Sequence, residues 1–345
     1  MATTKIDNQL TDSFLSLVVS GLGGPAPASF GPLGEEDWQT ILQLAKTQTV
    51  TGLIYSAVSS LPEDANVPED ILFTLINRVK SIKARSVRVV SVAKELCSFF
   101  TSKSLHPLVM KGPVVAAFYP QPLLRESGDI DLYFPPEEFD RASQLIAFEG
   151  AEVRISPDGS ASYHWEGICI DQHRAYYDLH TTTADLPRIG TRTSALVMLS
   201  AHILKHCMFS GIGLRQICDM AKAYESLDGE YDKTKLRTYY EKAGLTKWNR
   251  MLCGFLHRRL AVDASVLPYA ENELLPDEAL FDIVFSGGNF GHFSEGRGDA
   301  LTSSPLRRKM DTGRRFLGRI PFSLRYGRKE FIPSFIDLLR GNLSG

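Results

Sequence analysis

The chain has 345 residues, 43% of them hydrophobic and 23% charged, with a formal net charge of −2. That length allows two or three domains, or one core with helical additions. The composition is that of a soluble globular protein and excludes a disordered chain, collagen and a coiled coil.

Residues 21–34 are rich in glycine and proline and read as a loop. Helical spacing begins at Trp38, with Ile41, Leu42 and Ala45 on one face, and returns at Val89, Ala93, Leu96 and Phe100. Leu108-Val109-Met110 is a short apolar run that enters a tight turn at Lys111-Gly112-Pro113, and so reads as a strand. A short helix over Val114–Tyr119 follows, with Pro113 in its first turn, where a missing N–H is tolerated. After a loop with Pro120 and Pro122, Ile130–Phe134 reads as a second strand. Pro135-Pro136-Glu137-Glu138 opens a helix with acids at its positive end, carrying Phe139, Ala142 and Ile146 and ending near Gly150. Tyr163–Trp165 and Ile168–His173 read as a strand pair returning across the same sheet. From Thr193 on, Leu196, Leu199, Ile203 and Leu204 mark a helical stripe. The expected organisation is a helical region over 1–80, a core over 81–190 and a second helical region over 191–345.

Charge is uneven along this order. From Leu301 to the end there are ten basic and three acidic residues, about +7, which leaves about −9 for the rest. Such a tail either holds an anionic acceptor, a nucleic acid or a membrane surface, or is a solvated helical face. The five cysteines (Cys97, Cys169, Cys207, Cys218, Cys253) form no C-x-x-C pair. That fits free thiols in a reducing cytosol rather than a disulfide framework. No apolar run reaches the ~18–20 residues that span a bilayer. The N-terminal segment lacks a signal-peptide pattern. A cytoplasmic protein without a membrane span is therefore expected.

Asp129 and Asp131 carry the chemistry. At spacing i, i+2 on a strand, both carboxylates point to one face. Two neighbouring anions repel, and burying them unpaired is unfavourable; a hard divalent cation such as Mg²⁺ or Mn²⁺ removes that penalty. Lys111-Gly112 stands at a strand-to-helix turn, where backbone N–H groups and a lysine can face phosphates. Arg125, Ser127 and Gly128 precede the first aspartate, offering a two-pronged phosphate donor, a hydroxyl and a flexible approach. Ile170-Asp171-Gln172-His173 places a third carboxylate on a candidate neighbouring strand, with His173 on the same face as Asp171. Three carboxylates around a phosphate-binding turn suit two-metal phosphoryl or nucleotidyl transfer.

Lys111-Gly112, Tyr119-Pro120, Arg125 and Gly128-Asp129-Ile130-Asp131-Leu132, at their spacing here, resemble the signature of the uncharacterised nucleotidyltransferase family within the polymerase-β-like superfamily. Ile170-Asp171-Gln172-His173 is similar to that family's later hydrophobic-Asp-x-His strand. His202-(x3)-His206 and Leu214-Arg215-(x3)-Asp219 are similar to its downstream helical segment. The resemblance runs from about Trp38 to Tyr224. It implies an α+β protein, a small mixed β-sheet core with helical flanks. It also implies metal held by Asp129, Asp131 and Asp171, and transfer of a nucleoside monophosphate from a triphosphate to an acceptor. The acceptor is a small molecule, a peptide, a protein or an RNA. Relatives in the wider superfamily place Gly-Ser or Gly-Gly at the phosphate turn. Here Pro113 removes one donor, which shifts phosphate binding towards Lys111, Arg125 and Ser127.

Further features have two readings each. His202, His206 and Cys207 share a helical face as metal ligands or as packed, hydrogen-bonded groups. Arg215 and Asp219, at i, i+4, form a helical ion pair or line the acceptor site. Gly287–His292 is a glycine-rich loop, structural or a lid. Two rival functions stand beside nucleotidyl transfer. One is a nucleotide-binding protein of the same fold with little catalysis. The other is a phosphotransferase using the γ-phosphate, for which the sequence has no H-G-D-x-x-x-x-N loop.

Overall fold

The computed structural model describes residues 8–26, 33–62, 65–156, 159–180, 185–209, 211–287 and 317–343. Helices α1 (Asn8–Gly21), α2 (Glu35–Thr47), α3 (Thr51–Val58) and α4 (Glu69–Ser102) come first. Strand β1 (Leu108–Val109), α5 (Pro113–Ala116), β2 (Asp129–Tyr133), α6 (Pro136–Phe148), β3 (Arg154–Ile155), β4 (Ala161–Trp165) and β5 (Ile168–His173) follow. Then come α7 (Arg192–Met208), α8 (Leu214–Ser226), α9 (Lys233–Lys242), α10 (Thr246–Leu260) and α11 (Glu278–Gly287). Helical residues 317–326 (α12) and α13 (Arg328–Leu343) complete the described chain. The expected α+β class, a small mixed sheet between helical regions, is what the structure has.

The sheet runs β1-β2-β5-β4-β3. Strands β2 and β5 are parallel, and every other neighbouring pair is antiparallel. Strict alternation makes one face apolar. Ile130 and Leu132 of β2, Tyr163 of β4 and Ile168 and Ile170 of β5 are buried against Val89, Leu96 and Phe100 of α4 and Phe139, Ala142 and Ile146 of α6. Each such side chain contributes about 1.5–3 kcal/mol by leaving water. Gln172 is the polar exception on this face. It is fully buried and donates through Nε2 to Phe139 O (3.1 Å) and Ser143 Oγ (2.8 Å), pinning α6 to β5.

The second core is helical, joining α1–α3 to α7–α11. Helix α4 belongs to both cores. Ile71 and Leu75 pack into the helical one, and Val89 onward into the sheet. The expected division at residue 80 therefore falls inside one continuous helix. Two helices predicted from spacing match α2 and α6, with the named apolar residues buried.

The helix expected over Val114–Tyr119 is shorter. It ends at Ala116, and Phe118 and Tyr119 donate to carbonyls three residues back. Pro120 disfavours a helical conformation at Tyr119, which accounts for the early end. Part of the loop over 21–34, Gly288–His292 and most of the tail before residue 317 lie outside the described residues. Farther along the tail, Arg319 donates to Cys207 O at 2.7 Å and Lys329 to Lys242 O at 3.1 Å, so these two basic residues hold helix carbonyls. All five cysteines are free thiols. Among the described residues no helix is long and apolar enough to cross a membrane.

Candidate active site

The polar face of the sheet follows from the same alternation. Cα register across the parallel pair sets Asp129 beside Cys169, Asp131 beside Asp171 and Tyr133 beside His173. Ser162 of β4 lies beside Asp171 on its other side. The predicted neighbouring strand is thus β5, and Asp129, Asp131 and Asp171 stand on one face. They line a cleft of about 450 Å³.

Asp131 is nearly enclosed. Its Oδ1 accepts from Lys111 Nζ at 2.9 Å and from His173 Nε2 at 3.0 Å. Burial alone would raise its carboxyl pKa, but the Lys111 charge and the His173 hydrogen bond outweigh it. The group is held well below the usual carboxylate range. Asp171 goes the other way. Burial raises its pKa, and the charges of Asp131 and Asp129 add to the rise. Neither Asp171 nor Asp129 has a side-chain hydrogen bond or ion pair among the described residues.

Lys111 reaches Asp131 because the chain turns sharply behind it. Gly112 has φ +58° and ψ −109°, a conformation that side chains disfavour. Val114 N donates back to Lys111 O at 3.3 Å, and Pro113 has no N–H, so the four-residue α5 presents few free backbone donors. The Lys111 ammonium also lies 3.2 Å from Nδ1 and 3.3 Å from Nε2 of His202 on α7. Burial and that positive neighbour press the His202 pKa down. Beside it, Asp178 accepts from Lys205 Nζ at 2.8 Å and pairs with His202 Nδ1 at 3.3 Å. His206 packs its ring edge-on against His202, centroids 4.4 Å apart.

Arg125, offered by the motif as a phosphate donor, has partners within the chain. Nε and Nη2 donate to both oxygens of Asp219 on α8, at 2.7 and 2.6 Å, and Nη1 donates to Ser127 Oγ at 2.8 Å. Tyr119 Oη adds a third bond to Asp219 at 2.6 Å. The expected Arg215–Asp219 pair therefore does not form. Asp219 turns to Arg125, and Arg215 Nη1 donates to Glu126 O at 2.5 Å.

The loop carrying Arg125 is fastened from three sides. Arg85 of α4 donates to Ser127 O (3.2 Å) and Gly128 O (2.5 Å). Ser86 Oγ donates to Arg125 O (3.3 Å), and Thr51 N donates to Glu126 Oε1 (2.8 Å). At Gly52 the chain passes so close that a Cβ would lie 2.0 Å from Leu124 O.

Of the residues singled out in the sequence, Lys111, Gly112, Arg125, Asp129, Asp131, Asp171, His173, His202, His206, Arg215 and Asp219 line the cleft. Ser127 and Gly128 do not. Ser162, Asp178 and Lys205 also line it, and sequence reasoning did not assign them to the site. Only the i, i+4 histidines gave any signal of this wall.

Residues 34–261 match the family described as uncharacterised nucleotidyltransferase, about two thirds of the chain. The chain belongs to that family. The match starts just before α2 and ends just after α10, so it contains the whole sheet and every cleft residue named above. No curated protein and no solved structure matches the chain.

The family implies a divalent cation. Among the described residues no three His, Cys, Asp or Glu side chains converge into a ready-made cage. The donor set still fits Mg²⁺ or Mn²⁺. Asp129, on Asp131's own strand, and Asp171, beside it on β5, offer hard oxygens without a side-chain partner among the described residues, and Mg²⁺ takes one or two carboxylates and completes its shell with phosphate and water.

Proposed function

We propose that the cleft binds a nucleoside triphosphate with Mg²⁺ or Mn²⁺ and transfers its nucleoside monophosphate to an acceptor nucleophile, releasing pyrophosphate. The observation that carries this reading is the β2–β5 register, which puts Asp171 directly beside Asp131 on the face that carries Asp129, in one cleft with Lys111. Asp129, Asp131 and Asp171 would hold the cation, which when bound neutralises the triphosphate and favours in-line displacement at its α-phosphorus. Asp171 takes the acceptor's proton at its carboxylate. A new bond forms between acceptor and α-phosphorus as the bond to the bridging oxygen breaks. His173 orients Asp131, and Lys111 supplies positive charge at the phosphate turn.

Lys111 seated on Asp131 and the donor-poor Gly112-Pro113 turn favour a second reading, a nucleotide-binding protein of this fold without turnover. One experiment separates the readings. The protein is incubated with each triphosphate, Mg²⁺ and a metabolite pool, and adducts and co-products are identified by mass. Nucleotidyl transfer yields an acceptor carrying a nucleoside monophosphate, together with pyrophosphate. Binding without either product supports the second reading, and a nucleoside diphosphate co-product identifies γ-phosphate transfer instead.

A further inference from the structure

Four lysines and arginines line the cleft: Lys111, Arg125, Lys205 and Arg215. The first three each meet a carboxylate, Asp131, Asp219 and Asp178 respectively. Arg215 meets none within ion-pair distance among the described residues. Its Nη1 holds the Glu126 carbonyl, and its Nε is buried without a hydrogen-bond partner. The residue is half-buried, and a guanidinium N–H withdrawn from water without a hydrogen bond is unfavourable.

The surroundings of Arg215 are specific. Arg215 lies in the first turn of α8, whose N-terminus is capped from a distance by the buried Gln48. Gln48 Oε1 accepts from Leu214 N at 2.8 Å, and its backbone carbonyl accepts from Arg215 N at 3.3 Å. Gln48 is in turn held by Val284 O, 2.9 Å from its Nε2. The helix's first donors are thereby satisfied, which leaves the Arg215 side chain to meet an anion. Burial and the neighbouring Arg125 charge both press the Arg215 pKa down, as expected for a cation lacking its partner.

We propose that Arg215 is the seat of the polyphosphate tail in this cleft, and that Arg125, despite its place beside Asp129 in the motif, is a positioning residue. Arg125 holds Asp219 and Ser127 and so fixes the loop that leads into β2. The assignment rests on the nucleotide reading of the cleft. A fork that forms two parallel N–H···O bonds suits a phosphate group. Lys111 shares its charge with Asp131, whereas Arg215 has no carboxylate within ion-pair distance among the described residues and keeps its charge for the ligand.

The test is equilibrium binding of inorganic tripolyphosphate, the four ribonucleoside triphosphates and their monophosphates. Each is added with Mg²⁺ to the full chain and to Arg215→Gln and Arg215→Lys. Arg215→Gln should weaken tripolyphosphate and triphosphate about 10- to 100-fold, the scale of a hydrogen-bonded charge. Monophosphate should weaken less than about 3-fold, because its single phosphate sits at the aspartates. The melting temperature should not fall. Equal loss for monophosphate, unchanged tripolyphosphate binding, or a lowered melting temperature with unchanged affinity overturns the assignment. If Arg215→Gln fails to fold, Arg215→Lys decides, since it keeps a charge and loses the fork; tripolyphosphate affinity equal to that of the original chain then overturns it. Binding of tripolyphosphate but of no nucleoside triphosphate overturns the nucleotide reading while sustaining Arg215 as an anion seat. Binding of neither overturns both.

Discussion

Asp219 and Asp171 line the same cleft, yet Asp219 receives three side-chain hydrogen bonds, from Tyr119 and Arg125, while Asp171 receives none among the described residues. Asp219 is buried and Asp171 is half-buried. The Asp219 pKa is lowered: burial would raise it, and the Arg125 charge more than offsets that. The Asp171 pKa is raised, because burial and two neighbouring carboxylates act together. The Arg125–Asp219 side of the cleft is electrostatically closed, and the β5 side is held open against its own repulsion. Closed pairs fix the shape of a protein, whereas an unpaired carboxylate beside another carboxylate is a charge kept for a ligand or for proton transfer.

The closed side should respond in stability. Arg125 and Asp219 are 4% and 6% exposed, so removing either strands a buried charge. Arg125→Ala or Asp219→Ala should cost about 3–5 kcal/mol in a denaturant melt. Replacing both together by apolar residues of similar volume should recover much of that loss. If Arg125→Ala melts like the original chain and only loses nucleotide affinity, Arg125 belongs to the open side.

A smaller effect tests the fastening of the same loop. Gly52→Ala puts a methyl group against Leu124 O, and such overpacking typically costs about 1–3 kcal/mol. An unchanged melt would mean that α3 and the Leu124 turn can separate without consequence.

The smallest effects carry the clearest sign. In chelator, Asp131→Asn removes the anion that Lys111 and His173 hold, and should lower the melting temperature. Asp171→Asn relieves repulsion at neutral pH and should raise it. The pH dependence agrees. A carboxyl whose folded pKa is lowered, as at Asp131, adds stability above its unfolded value, about 3.9, and that stability is lost as pH falls through the folded value. A raised carboxyl, as at Asp171, destabilises while ionised and ceases to do so as pH falls through its folded value. As pH falls, the two variants should therefore converge on the original chain from opposite sides, Asp131→Asn from below and Asp171→Asn from above. Shifts of the same sign would end the contrast between the two aspartates.

Much of the open side was legible in the sequence. Period-2 alternation fixes which face Asp129 and Asp131 share, and the Ile170–His173 pattern marks the partner strand. The closed side was not legible. A guanidinium fork suits phosphate and carboxylate equally well, and the carboxylate that captures Arg125 lies 94 residues away. Helical spacing pointed Arg215 at Asp219, but a buried two-pronged pair across the fold outcompetes a single-turn contact. Strand β3 left no signal either: it is two residues long, and both are exposed at the sheet edge.

The central claim is that Asp171 is the charge kept for chemistry. Its most direct test pairs two readouts on Asp171→Asn: triphosphate affinity with Mg²⁺, and formation of pyrophosphate with a nucleotidylated product. The variant should bind triphosphate within a few-fold of the original chain. Transfer should fall by about 10²–10⁴, the range for loss of a general base. Near-normal transfer by Asp171→Asn would contradict the account, leaving Asp171 a structural carboxylate and moving the base to His173.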